Sequence, residues 1–151
     1  MQVLYGTVIL SLLVGVATSI IANSFLTERI AIIGSFVGLE HTLNRGIAFG
    51  MKIPGVFQII LIVCALFFVM WYAAREAKSK LSQVGFGLII GGGLANIVDR
   101  FGDGVVTDLF QVGSFPIFNV ADSCISVGIF VLFWEMVILK RSGKPRLSGA
   151  V

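Results

Sequence analysis

Four stretches of this chain, at about residues 4–23, 54–74, 82–98 and 118–139, are apolar over lengths that few water-soluble folds can hide. A hydrocarbon layer about 30 Å thick takes roughly 20 helical residues per crossing, so these runs predict four transmembrane helices. Four such crossings take roughly 80 of the 151 residues, which leaves room for one integral membrane domain over 1–151 with modest connections. Composition agrees, with 57% of residues in the AVILMFWYC set and 13% charged. Disordered segments, disulfide-stapled modules and ordinary soluble domains all require more polar surface than that.

The first run has no basic residue before it and is followed by three more, so it is expected to be a retained helix and not a cleaved leader. The second opens at Pro54, a residue the first helical turn accepts, and ends near Trp71 and Tyr72, which suit a membrane interface. The third is short and rich in glycine. Cys64 and Cys124 lie inside apolar stretches without a Cys-x-x-Cys or Cys/His neighbourhood, and are read as buried small hydrophobes.

Charge orients the runs. Arg75, Lys78 and Lys80 lie in one connection and Lys140, Arg141, Lys144 and Arg146 in the tail, against Arg29, Arg45, Lys52 and Arg100 in the other two connections. Loops on the cytoplasmic side are enriched in Lys and Arg, so both termini and the 75–80 turn are expected in the cytoplasm. Bases at the ends of apolar runs set topology, and no nucleic-acid partner is expected. Glu28, Glu40, Asp99, Asp103 and Asp108 lie in the outer connections, with Asp122 near the outer end of the fourth run. Glu135, at the other end of that run, is expected to snorkel to the cytoplasmic surface. The connection over about 24–53 has β-branched, alternating character punctuated by Gly34, Gly38, Gly46 and Gly50, which predicts a small β-cradle at the outer interface. The polar tail over about 142–151 reads as disordered.

Asp122 needs a reason, because an aspartate within an apolar helix costs a few kcal/mol unless paired or solvated. At a helix N-terminus exposed on the membrane surface, the helix dipole would be reason enough. Asp108, in the apolar, strand-like stretch VVTDLF, lies fourteen residues earlier, and that short connection can bring the two carboxylates together. Carboxylates a few ångströms apart do not both ionise easily, so one can draw a proton from water while the other donates to a carbonyl oxygen. Asp99 and Arg100 read as an ion pair, Asn96 and Asn119 as caps or cross-helix amides, and Gly91, Gly92 and Gly93 as points of close backbone approach. His41 stands alone and reads as an interfacial polar residue. No metal and no cofactor is expected.

NRGIAFG (44–50), GGLANIVDR (92–100), VVTD ending at Asp108 and FPIFNVADS (115–123) resemble, in order and spacing, the motifs of bacterial lipoprotein signal peptidase, or signal peptidase II. That resemblance implies an all-α membrane aspartyl protease of four transmembrane helices with a small extracytoplasmic β-cradle. Its substrates would be prolipoproteins, cut just before a diacylglyceryl-modified cysteine. The family's catalytic aspartates fall on Asp108 and Asp122, and its other motif positions on Asn44, Gly46, Ala48, Phe49, Gly92, Asn96, Arg100, Val106, Asn119 and Ala121. The implied setting is a monomer among membrane lipids of the bacterial cytoplasmic membrane, with its active site near the outer face. One motif is missing: residues 14–27 contain no counterpart of the family's Asp-Gln-x-x-Lys, for which Asn23, Ser24, Glu28 or Arg29 are candidate substitutes. The rival readings are a small transporter using intramembrane acids, a presenilin-like protease whose Gly-x-Gly-Asp signature FGDG fails to reproduce, and a catalytically silent relative that binds lipoproteins.

Overall fold

The computed structural model describes residues 1–46 and 55–139. Its elements run α1 (Gln2–Phe25), β1 (Ile30–Ile33), β2 (Val37–Asn44), α2 (Gly55–Glu76), α3 (Lys80–Asp103), β3 (Val106–Val112), β4 (Phe115–Phe118) and α4 (Val120–Trp134), the last continued by a π-helical turn over Glu135–Leu139. Four of these helical segments are long and apolar enough to cross a membrane. Their outward residues, such as Leu10, Phe67 and Phe130, are exposed because lipid, not protein, is their intended neighbour. At the end of α2 the Arg75 guanidinium lies 4.1 Å over the Trp71 ring, as suits an interface anchor. Pro54 and the tail fall outside the described residues.

α3 is the central helix, packed along α1 on one side and α4 on the other, with α2 against it more lightly. Lipid tails are as apolar as leucine, so helices in a bilayer associate by close fit, and small residues permit it. A Cβ on Gly92 would stand 2.5 Å from the Ala121 carbonyl oxygen of α4, and one on Gly91 would collide with Ser11 of α1. Ser11 Oγ, which donates to the Thr7 carbonyl oxygen of its own helix at 2.7 Å, also lies 3.3 Å from the Gly87 carbonyl oxygen across the α1–α3 contact. The buried apolar cluster of Leu4, Leu66, Ala73, Ala77, Phe86 and Ile90 draws on the start of α1, the second half of α2 with the turn after it, and the first half of α3. Cys64, expected inside, faces outward on α2, and Cys124 is half-buried. An apolar run does not say which of its faces meets protein.

Two boundaries differ from the sequence reading. α3 continues past 98 to Asp103, so Asn96, Asp99 and Arg100 sit in its final turns. It stops at Gly104, whose φ of 79° suits glycine, and the chain turns directly into β3. The sheet, expected within 24–53, takes only β1 and β2 from there, while β3 and β4 come from the connection between α3 and α4. All four strands pair antiparallel in the order β1-β2-β3-β4. A lone hairpin is marginal in water, and pairing β2 with β3 supplies the third and fourth strands that stabilise it. Thr42 stands opposite Asp108 and Asn44 opposite Val106. The ends of α1 and α3 and the start of α4 thus meet beneath this sheet.

Candidate active site

α4 begins with a capping box. Asn119 accepts the Asp122 N–H at 2.8 Å through Oδ1, and the Asp122 carboxylate faces the Asn119 N–H at 3.4 Å. An Asn-x-x-Asp spacing ahead of an apolar run folds this way because both side chains satisfy N–H groups that the first helical turn leaves open. The cap therefore fixes Asp122 at the helix start. Asp108 is delivered from the other direction, in β3, and is only 2% exposed.

Amides join the two acids. Asn119 Nδ2 donates to Asp108 Oδ1 at 3.0 Å and to Asn96 Oδ1 at 3.1 Å, and Asn96 Nδ2 donates to Asp122 Oδ1 at 2.9 Å. The chain of donors admits one orientation for each amide, since a flipped Asn96 would turn its oxygen toward that of Asp122. From β2, Asn44 Nδ2 donates to Asp108 Oδ2 at 2.9 Å, and Asn44 Oδ1 accepts the Gly46 N–H at 2.8 Å. Register explains the reach: Asn44 shares a sheet face with Thr42 and sits diagonally from Asp108. Burial pushes the Asp108 carboxyl up to about 6, and the nearby Asp122 adds to the rise. Hydrogen bonds from Asn44 and Asn119 and the Arg100 guanidinium pull the other way.

Asp122 opens onto a cavity of about 840 Å³, whose polar end carries Asn44, Asn96 and Arg100. Its apolar walls come from Ile62 of α2, Ile125 and Ile129 of α4, and β4. Arg100 Nη2 donates to the Gly46 carbonyl oxygen at 2.9 Å and Nη1 to that of Asn96 at 3.3 Å. Its Nε is buried without a hydrogen-bond partner among the described residues. Two acids within one amide network, one covered and one open to a cavity, are suited to general acid and base chemistry on a polar bond held beside an apolar wall.

Residues 7–138 match the family described as Signal peptidase (SPase) II. The chain belongs to the signal peptidase II family. It is 36% identical to the lipoprotein signal peptidase of Symbiobacterium thermophilum over 78% of this chain and 82% of that protein. It is 32% identical to the lipoprotein signal peptidase of Chlorobaculum tepidum over 93% of this chain and 99% of that one. Two solved structures of bacterial membrane enzymes share the fold. One is 25% identical with a TM-score of 0.78 over 97% of this chain and 95% of its own, and the other 23% identical with 0.81 over 91% and 94%.

Of the residues singled out from sequence in this signal peptidase II chain, Asn44, Asn96, Arg100, Val106 and Asp122 line the cavity, Asp108 and Asn119 are buried behind them and joined by amide hydrogen bonds, and Gly46 is tied to Arg100. Gly92 and Ala121 form the α3–α4 contact and do not line the cavity. Ala48 and Phe49 lie outside the described residues. The expected Asp99–Arg100 ion pair is replaced: Asp99 accepts from Ser19 Oγ at 2.6 Å and from the Thr107 N–H at 2.7 Å. Successive helical residues point about 100° apart, so Asp99 turns to α1 while Arg100 turns to the cavity. His41 Nε2 lies 2.7 Å from Asn23 Oδ1. Sequence reasoning passed over Ser19 and Thr107, and the signal for Ser19 was its spacing of four from Asn23, which puts both on one face of α1.

Proposed function

We propose that this protein is a membrane-embedded aspartyl endopeptidase that removes signal peptides from prolipoproteins, cutting the bond before a diacylglyceryl-modified cysteine. The observation that carries this reading is the amide-linked pair of Asp122, at the polar end of an otherwise apolar cavity between α2 and α4, and Asp108, buried behind it. Such a cavity suits a substrate that stays in the bilayer, with its apolar part against Ile62, Ile125 and Ile129 and its scissile bond at the carboxylates. The relatives' own name, lipoprotein signal peptidase, supports the same substrate class.

Asp108, held protonated into the range near pH 6 by burial, serves as the acid, and Asp122, facing the cavity, as the base. Asp122 takes a proton from water, whose oxygen attacks the carbonyl carbon as Asp108 gives its proton to the carbonyl oxygen. In the second step Asp122 returns its proton to the leaving nitrogen while Asp108 recovers one from the tetrahedral intermediate. The C–N bond breaks, releasing the lipidated cysteine as an amine and the signal peptide as a carboxylic acid. Asn44 covers Asp108 in the free protein and gives way to the substrate backbone. The Arg100 Nε, without a hydrogen-bond partner among the described residues, offers that backbone a donor. Both termini and the 75–80 turn lie in the cytoplasm of a bacterial cell, and the sheet with its site lies at the outer face, as the distribution of Lys and Arg favours.

The test is a gel-shift assay with purified chain and a lipidated prolipoprotein. Wild-type protein is expected to shorten the substrate, whereas Asp108→Asn and Asp122→Asn are each expected to lose at least about a thousandfold while remaining folded. Ordinary turnover in either variant would remove that residue from the chemistry. Binding without cleavage by the wild type would favour a silent binder.

A further inference from the structure

Asp99 and the polar side of α1 take no part in the chemistry above, yet they form a second network beside it. Asp99 accepts Ser19 Oγ at one oxygen and the Thr107 N–H at the other. The Thr107 hydroxyl donates at 3.1 Å to Asn23 Oδ1, where His41 Nε2 also arrives. Ser19 and Asn23 lie one helical turn apart, on the side of α1 that faces α3 and β3. Thr107 is 2% exposed and immediately precedes Asp108. Side chains alternate along a strand, so when Thr107 is held through its N–H by Asp99 of α3 and through its hydroxyl by Asn23 of α1, the rotation of β3 is set and Asp108 is aimed at Asn119.

We propose that Ser19 and Asn23 are positioning residues for Asp108, acting through Asp99 and Thr107, and that this neutral pair stands where the family's Asp-Gln-x-x-Lys motif is missing from the first helix. The inference rests on Asp108 being one half of the acid pair. A carboxylate with both oxygens occupied holds a strand more firmly than one with a single partner, and Ser19 supplies the second. Thr18 provides a contrast on the same helix, because among the described residues its hydroxyl donates only to the Val14 and Gly15 carbonyl oxygens of α1 itself, both at 2.9 Å.

The experiment uses the full chain in detergent micelles, with two readouts on Ser19→Ala, Asn23→Ala and the control Thr18→Ala. One is cleavage of a lipidated prolipoprotein, and the other is the titration of Asp108 followed by carboxyl ¹³C NMR in aspartate-labelled protein. Ser19→Ala and Asn23→Ala are expected to lower kcat about tenfold with KM within about twofold, and to move the Asp108 titration by at least about half a pH unit. Thr18→Ala is expected to change neither. Ser19→Thr keeps the hydroxyl and Asn23→Asp keeps the acceptor, so both are expected to recover most of the rate. An unmoved titration in Ser19→Ala and Asn23→Ala overturns the proposal, even with a lower rate, because such a loss would be structural. Failure of the conservative variants to recover overturns it as well. Should Ser19→Ala not fold, Asn23→Ala, at the exposed end of α1, decides alone. A wild-type chain that leaves the substrate uncut would refute the peptidase reading, while the titration would still decide the positioning.

Discussion

Asn119 fills three roles with one amide. Its oxygen caps α4 through the Asp122 N–H, and its nitrogen donates both to Asp108 and to Asn96. These roles are separable by substitution. Serine caps helices about as well as asparagine but is too short to reach Asp108, so Asn119→Ser is expected to keep its Tm within a few degrees yet lose about a hundredfold in kcat. A melting curve and a cleavage assay on the same preparation check this, and full activity would mean the amide bridge is dispensable. The pH dependence also belongs to single residues. With Asp108 as the acid at about 6, kcat/KM, which reports the free enzyme, is expected to fall about tenfold per pH unit above that value. Substrate that expels water from the cavity disfavours the carboxylate further, so the descending limb of kcat should lie at higher pH than that of kcat/KM. The same raised value has a stability consequence. The folded state holds this proton more tightly than the unfolded chain does, so the stabilisation is fully present below the ordinary carboxylate range and is lost as pH rises through about 6.

Among the elements, α3 matters most, because it carries Asn96 and Arg100 into the site and holds α1 and α4 in place. Adjacent glycines on it should respond differently. The Cβ of Gly92→Ala would press at 2.5 Å on the Ala121 backbone, which cannot yield without moving the start of α4 and Asp122 with it. The Cβ of Gly93→Ala meets only the end of the Leu66 side chain, at 3.1 Å. Gly92→Ala is expected to lower both Tm and activity strongly, and Gly93→Ala to change Tm by no more than a few degrees. At the far end of α4, Glu135 begins a π-helical turn remote from the acids, and Glu135→Gln should leave cleavage within about twofold. A large loss there would reveal a role for the distal end of the helix. The Asn-x-x-Asp cap and the strand-like VVTDLF were legible as sequence because each depends on neighbours a few residues away. The extension of α3 to Asp103 was less so, since Asp99 and Arg100 read as a polar boundary until Ser19, Thr107 and Gly46 are seen to receive them.

At the scale of the whole molecule, the membrane and the sheet divide the chain into an apolar end and a polar end. In a variant with Cys64 and Cys124 replaced, a cysteine at Ser35 is expected to react with an impermeant maleimide on intact cells, and one at Lys78 only after permeabilisation. The reverse pattern would invert the topology inferred from Lys and Arg. The sequence by itself determined the four helices, the gathering of acids on one side, and the two aspartates that no solubilising role explains, because the cost of placing charge and polar backbone in lipid is paid locally, residue by residue. Only the tertiary structure decided which partner each polar group takes. It joined strands from two distant connections into one sheet, sent Asp99 to α1 instead of Arg100, laid Asn44 over Asp108 and turned Cys64 outward. Asn44 and Asp108 are 64 residues apart, and their meeting depends on strand register and helix packing established across the whole fold, which no local periodicity records.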